Sequence, residues 1–329
     1  MTQDVSPIPE ARPWKKAIPE ARDRLQSKIL VWIAVPVLCW LAFETRTESF
    51  ADHRTVAYLE QVFAVSIFFA LATWRMRAAT WFAAFTGAVI CFLITLYTGP
   101  LVGLFMHGGG SIFHSCLTPL IFLFLLTFSA TRFRRERKSE ASSAEHRRGR
   151  TTAQIVANLG VAGALSSYWG FFGVSLVMGY GGTITGSLHS VLDGMVIYNL
   201  PVLAALAEAT ADTVSSEIGQ AFGGKTYLLA SFRQVPPGTD GAVSLIGTTA
   251  GIMAAAIVAY VGIPASGLDL SSCTLVFASG VLGLLFDSVL GATVERKGWL
   301  GNDLVNFTST AFAALVSMIG IRLFDGLMR

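Results

Sequence analysis

A set of acidic residues sits inside or beside the apolar segments of this 329-residue chain. Glu208, Asp212 and Glu217 close one segment in LAEATADTVSSEIG, and Asp287 lies inside another, GVLGLLFDSVLGATVE. Asp240 and Asp303 open the segments that follow each of these. A carboxylate at the centre of a membrane helix costs roughly 2.5–3.5 kcal/mol on insertion scales, so such acids default to a functional reading. Here they recur beside Gly, Ser, Thr and Asn. The combination points to a site for a cation and phosphate at one face of a membrane. Magnesium is the natural cation, because it takes a few carboxylates together with substrate phosphates.

Helical spacing sharpens the set. Glu208, Asp212, Ser215 and Gly219 share one helix face, and so do Gly280, Gly283, Asp287 and Gly291. Ser244, Gly247 and Gly251 make a third stripe; Asn306, Ser309 and Ala313 make a fourth. Small residues let helices approach closely, so packing alone is the alternative reading of the glycines. A packing stripe has no need of Asp. Glu217 lies off the Asp212 face and acts from the helix end or not at all. The loop RQVPPGTDGAVS carries Pro236, Pro237, Gly238, Thr239, Asp240, Gly241 and Ser244. Its prolines and glycines turn the backbone. Its amides either form an anion nest at the start of the next helix, where the dipole also favours phosphate, or make an ordinary tight turn. Lys225 and Arg233 supply charge for phosphate oxygens. The histidines are scattered, which argues against a metal–His site. The four cysteines form no CxxC pair and read as buried small hydrophobes.

The elements that hold these residues must be membrane helices. The chain is 53% hydrophobic and 14% charged, against about 25% charged in soluble domains. Several stretches approach the roughly 20 apolar residues that cross a bilayer. The expected class is all-α, a polytopic membrane protein with about nine spans near 29–43, 62–74, 80–98, 112–130, 152–178, 188–217, 243–262, 272–292 and 304–324. The fifth could hide a break near Ser166–Gly170. With the N-terminus in the cytoplasm, 20 of the 24 Lys and Arg fall on cytoplasmic segments, as the positive-inside rule requires. The division is then a cytoplasmic tail (1–28), a four-span region (29–130), a basic cytoplasmic linker (131–151) and a motif-bearing membrane domain (152–329). The tail has no leading apolar core, so no cleaved signal peptide is expected. The net charge of +3 does not suggest nucleic acid. Asp-Thr/Ser-Val recurs at the exits of spans six and eight, and spans seven and nine each open with an Asp. This pattern hints at a repeat of two helix–loop–helix units, and repeat interfaces commonly house sites.

Four ordered motifs carry a resemblance: ADTVSSEIG (211–219), VPPGTDGAVSLIGT (235–248), GLLFDSVLGATVE (283–295) and NDLVNFTST (302–310). RRGRTTAQIVANLG (147–160) adds a weaker match. Over residues 78–320 the chain resembles an integral membrane family that contains transmembrane protein 19 and the plant phytyl-phosphate kinase. The chain departs from the family at Ala211 and Val214–Ser215. The resemblance implies phosphorylation of an isoprenoid monophosphate by a nucleoside triphosphate, with CTP as plausible as ATP. In that scheme Glu208, Asp212, Glu217 and Asp287 hold magnesium. Asp212, Asp287, Asp303 and Asn306 form the catalytic set. Lys225, Arg233, Gly238, Thr239, Asp240, Gly241 and Ser244 form the substrate- and phosphate-binding set, with Lys225 and Arg233 supplying the positive charge. The lipid tail lies in a groove beside Phe286 and Phe307. The expected location is the cell (cytoplasmic) membrane, with membrane lipids around a multi-pass chain. A transporter or flippase for a lipid or phosphorylated solute is the alternative.

Overall fold

The computed structural model describes residues 18–44, 53–98, 111–134, 149–177, 188–237 and 239–327. Among these residues ten α-helices run in chain order: α1 (Glu20–Glu44), α2 (His53–Arg75), α3 (Trp81–Tyr97), α4 (Leu117–Arg132), α5 (Thr152–Leu165), α6 (Tyr168–Val177), α7 (Leu188–Phe222), α8 (Leu245–Ser266), α9 (Leu270–Leu290) and α10 (Asn302–Leu327). A π-helical turn, Gly291–Glu295, continues α9. Five of these helices are long and apolar enough to cross a bilayer, and the bent pair α5–α6 makes a sixth. Each of the nine expected segments contains helix, although α3 and α4 are shorter than a full span.

Local signals explain the boundaries. Thr80 accepts a hydrogen bond from the Ala83 amide at the start of α3. Thr151 and Gln154 form a reciprocal capping box at the start of α5. Ser244 caps α8, whose other end stops at Gly267 in the left-handed region. The fifth expected span breaks where the SSYWG sequence hinted, with a 71° bend between α5 and α6. Ser166 and Ser167 turn their hydroxyls back onto the Ala162 and Ala164 carbonyls. The Ser167 hydroxyl also accepts from the Gly170 amide at 3.0 Å.

Two expectations need correction. Residues 20–28 are not a free tail but the first turns of α1, and they dock on the loop before α10. Gln26 Nε2 donates to the Trp299 carbonyl at 2.8 Å, and the Gly301 amide donates to Gln26 Oε1 at 2.7 Å. The connection between α7 and α8 is more than a turn. It folds into a three-stranded antiparallel sheet in the order β2 (Gln234–Val235), β1 (Thr226–Leu228), β3 (Ala242–Ser244). The alternating burial of Thr226, Tyr227 and Leu228 seats β1 on the bundle.

α7 is the hub. Its 35 residues span about 52 Å at 1.5 Å per residue, longer than the hydrocarbon core. It packs against α4, α5, α8, α9 and α10, and Val202 to Ala207 are fully buried. One apolar cluster runs from Ile90 and Leu117 through Leu203 and Leu206 to Val258 and Val276. The four-span region and the C-terminal region therefore share a single core. Outside it, Trp32, Phe68, Phe82 and Leu245 point outward, as residues against lipid do.

Candidate functional site

Close helix approach assembles the acids. A Cβ added at Gly283 of α9 would fall 2.5 Å from Glu208 Cγ, and one at Gly280 would fall 2.8 Å from Ala207 Cβ. At these two positions α9 contributes no side chain, so the Ala207 and Glu208 side chains of α7 pack directly on its backbone, and Asp287 comes within electrostatic reach of Asp212 and Glu208. Ser309 of α10 donates to Asp287 Oδ2 at 3.2 Å. Asp212 and Asp287 are half-buried and open onto a cavity. Glu208 sits behind them, 1% exposed, and its Oε1 has no hydrogen-bond partner.

The cavity encloses about 1130 Å³. Asp212, Glu217, Asp240, Asp287 and Glu295 line it, together with Arg77, Arg132, Arg150, Asn302 and Asn306. Apolar residues of α2, α3 and α4, including Phe69, Ala84, Leu120, Leu123 and Phe124, line it as well. Glu217 accepts from Thr131 Oγ1 at 3.2 Å, which ties α7 to α4.

Arg150 is fixed by its own backbone. Gly149 has φ +83, and a Cβ there would meet the Arg77 carbonyl at 2.8 Å. The chain can therefore run beside Ala78–Thr80: the Arg150 amide donates to the Ala78 carbonyl at 2.8 Å, and the Thr80 amide donates to the Arg150 carbonyl at 3.0 Å. Burial pulls the guanidinium below its ordinary range, while the Glu217 and Asp212 carboxylates act in the opposite direction. Arg150 thus places a positive charge within electrostatic reach of the two acids.

Of the expected residues, Asp212, Asp287, Asn306, Glu217, Thr239, Asp240, Gly241 and Ser244 come together around the cavity. Asp303 does not. Ser27 Oγ of α1 donates to its Oδ2 at 2.6 Å, which turns it to the α1 side. Lys225 and Arg233 are exposed on the sheet and outside the cavity lining. Gly238 lies outside the described residues.

Turn and cap bonds run through the loop. The Thr239 amide donates to the Pro236 carbonyl, the Ala242 amide to the Thr239 carbonyl, and the Gly247 amide to Ser244 Oγ. Gly241 has φ +71, and its Cβ would fall 2.0 Å from the Ala292 amide nitrogen. Two of the quoted motifs thus meet backbone to backbone, at Gly241 and Gly291. Phe286 stacks on Phe312 at 4.1 Å, and Phe307 packs with Leu30 and Val156. Neither lines the cavity.

Among the described residues, no three His, Cys, Asp or Glu side chains are arranged to hold a metal. The four expected metal ligands are therefore not an all-protein cage. Asp212 and Asp287, opening side by side onto the cavity, still fit a magnesium ion that takes its other ligands from phosphate and water. Arg150 went unassigned on the sequence. Its signal was RRGR set directly before the Thr151–Gln154 capping box, which fixes that cation at the mouth of a helix.

A family model described as integral membrane protein DUF92 matches residues 64–314. The chain is 30% identical over 199 residues to a chloroplastic protein of Arabidopsis thaliana, VTE6, covering 60% of this chain and 55% of that one. It is 37% identical over 117 residues to the uncharacterized membrane protein MJ0933 of Methanocaldococcus jannaschii, covering 36% and 49%. To the uncharacterized membrane protein sll0875 of Synechocystis it is 34% identical over 123 residues, covering 37% and 47%. The chain spans about half the length of these curated relatives. No solved structure matches it.

Proposed function

This chain belongs to the integral membrane protein DUF92 family, and we propose that it is a membrane lipid-phosphate kinase that moves a phosphoryl group from CTP or ATP to an isoprenoid monophosphate of the phytyl or prenyl type. One observation carries the reading: a single cavity joins the Asp212–Asp287 pair and Arg150 to apolar residues of α2, α3 and α4. Its 1130 Å³ exceeds the roughly 300–1,000 Å³ of most ligand pockets, which suits two substrates. The motif resemblance to the family of the plant phytyl-phosphate kinase supports the isoprenoid acceptor. The cell membrane is the proposed location, with the polar end facing the cytoplasm in keeping with the bias of Lys and Arg.

In this reading Asp212 and Asp287 hold magnesium, which offsets the charge of the donor phosphates. Ser309 braces Asp287 through its hydrogen bond. Arg150 turns from Glu217 and Asp212 to phosphate oxygens, and Asn306 orients the acceptor phosphate. An oxygen of the acceptor monophosphate attacks the donor γ-phosphorus, and the bond to the β–γ bridging oxygen breaks. The products are the lipid diphosphate and the nucleoside diphosphate. An ionised phosphate oxygen has no proton to lose, so the site needs no general base. Phosphoryl transfer is mostly positioning and charge stabilisation.

The test is incubation of the purified protein with magnesium, CTP or ATP, and phytyl or geranylgeranyl monophosphate, with lipid diphosphate measured by mass spectrometry. The expected result is diphosphate from the wild type and none from Asp212→Asn. A folded protein that makes none with any pair of substrates overturns the reading. The 71° break at α5–α6 favours the second reading, a transporter or flippase, because broken helices build transport sites. Cysteines placed at 212 and 287 then separate the two: labelling from one side fits a kinase, and labelling from both sides fits transport.

A further inference from the structure

We infer that the side of the cavity built by α2, α3 and α4 binds the hydrocarbon tail of an anionic single-chain lipid, and that Gly87 sets the length of tail it accepts. The inference rests on the lipid-phosphate reading of the polar end and adds observations on α2, α3 and α4.

The cavity-lining residues of α4 include Leu120, Leu123, Phe124, Thr127, Phe128 and Thr131. Their spacing of three and one is a single helix face. From Thr131 to Leu120 that face descends about 16 Å at 1.5 Å per residue. Its chemistry changes along the way. Thr131 is bonded to Glu217 at the polar end, whereas Leu120 is buried among apolar side chains at the other. α2 repeats the gradient one turn apart, from Thr73 to Phe69, and Phe69 meets Phe124 edge to face at 5.3 Å. α3 supplies small residues, Ala83 and Ala84, and then Gly87.

Gly87 is the deciding residue. A Cβ built there meets nothing within 4 Å, whereas the helical glycines at 247, 280 and 283 would each strike a neighbouring helix. Gly87 therefore borders open space rather than closing a helix pair, whereas Ala83 and Ala84 pack against Ala70 and Ile155. A space that is apolar at one end and joined to Arg150, Arg132 and Arg77 at the other matches a molecule with a hydrocarbon tail and an anionic head. It gives the N-terminal helices a role in choosing the substrate.

The test uses the full-length protein and a geranylgeranyl monophosphate analogue carrying a diazirine at the tail end. After photolysis, labelled peptides are mapped by mass spectrometry. The expected labels fall on residues 81–97 and 117–132, suppressed by unlabelled geranylgeranyl monophosphate but not by phosphatidylglycerol. Gly87→Phe is expected to lower labelling by this analogue about tenfold relative to a geranyl analogue, since hydrophobic pockets discriminate by chain length on that scale. Gly87→Leu serves as a smaller second variant, with thermal unfolding checked for both. Labels on other helices, no specific labelling, suppression by phosphatidylglycerol, or equal loss for both chain lengths would overturn the inference. Labelling needs no phosphoryl transfer. A protein labelled on α3 and α4 that makes no diphosphate sinks the kinase reading alone, and diphosphate made with labels elsewhere sinks this inference alone.

Discussion

The two sides of α7 use small residues in opposite ways. Toward α8 and α9, glycines let backbones touch: a Cβ at Gly247 would lie 2.5 Å from the Ser215 carbonyl oxygen, and one at Gly251 would lie 2.7 Å from that of Ala211. Toward α2–α5, Gly87 borders open space. The closed side supplies rigidity and the open side supplies room. Asp212 and Asp287 stand at the boundary, where close packing of α9 on α7 holds two carboxylates at the edge of a cavity. The difference teaches that a small-residue stripe has no fixed meaning until its neighbours are known.

The largest expected effect falls on that boundary. Asp287→Asn and Asp212→Asn should each lower turnover by about 100-fold or more, the usual scale for removing one group that stabilises transition-state charge. Membrane insertion and thermal unfolding should stay near wild type. If these variants instead unfold while residual turnover is normal, the acids belong to the closed side and the distinction fails.

Next comes one substitution made on both sides. Gly247→Ala pushes a methyl into the Ser215 carbonyl and should cost about 2 kcal/mol, within the range for overpacking. Gly87→Ala should cost nothing, and by helix propensity stabilise by up to about 1 kcal/mol. Thermal unfolding in detergent reads both. Equal losses would erase the contrast between the two sides.

Arg150→Ala should raise the KM for the nucleotide about tenfold, since charged hydrogen bonds contribute roughly 1.5–3 kcal/mol. Arg150→Lys should recover part of that loss, because Lys keeps the charge without the planar fork. Steady-state kinetics at saturating acceptor measures both. The smallest effect lies far from the cavity. Asp269 caps α9 by accepting from the Ser272 amide at 2.9 Å, and Asp269→Ala should cost about 1 kcal/mol. Hydrogen bonds from Ser272 hold the Asp269 carboxyl below its ordinary range. Its folded pKa is thus lower than the unfolded value of about 3.9. The cap is fully present above that pH and is lost as pH falls through the folded pKa. Melting curves at pH 7 and pH 3 should therefore differ less in Asp269→Ala than in the wild type.

The sequence revealed the helices and the acids on them, because hydropathy and helical spacing are local signals. It also hinted at the break near Ser166–Gly170, where the bend between α5 and α6 falls, and it marked the stripe that carries Asp287. It misplaced Asp303, because a helix start beside an acid says nothing about its rotation; Ser27 on α1, distant in the chain, decides that. The loop of Pro236 to Ser244 read as a nest or a turn. The Thr239, Ala242 and Gly247 amides are engaged in turn and cap bonds that only the folded sheet makes apparent. Arg150 was hidden among the basic residues of a linker. What singles it out is the backbone bridge to Ala79, a contact between segments more than 70 residues apart. Phe286 and Phe307, expected beside the lipid tail, lie outside the cavity lining, since periodicity marks a face without naming what it faces.

The most direct test of the account is an experimental structure of the protein with magnesium, a non-hydrolysable nucleotide and geranylgeranyl monophosphate. The account predicts the phosphates between Asp212, Asp287 and Arg150, with the tail running past Phe124 toward Leu120. Density for the phosphates outside this cavity, or for a tail between α8, α9 and α10, would contradict it.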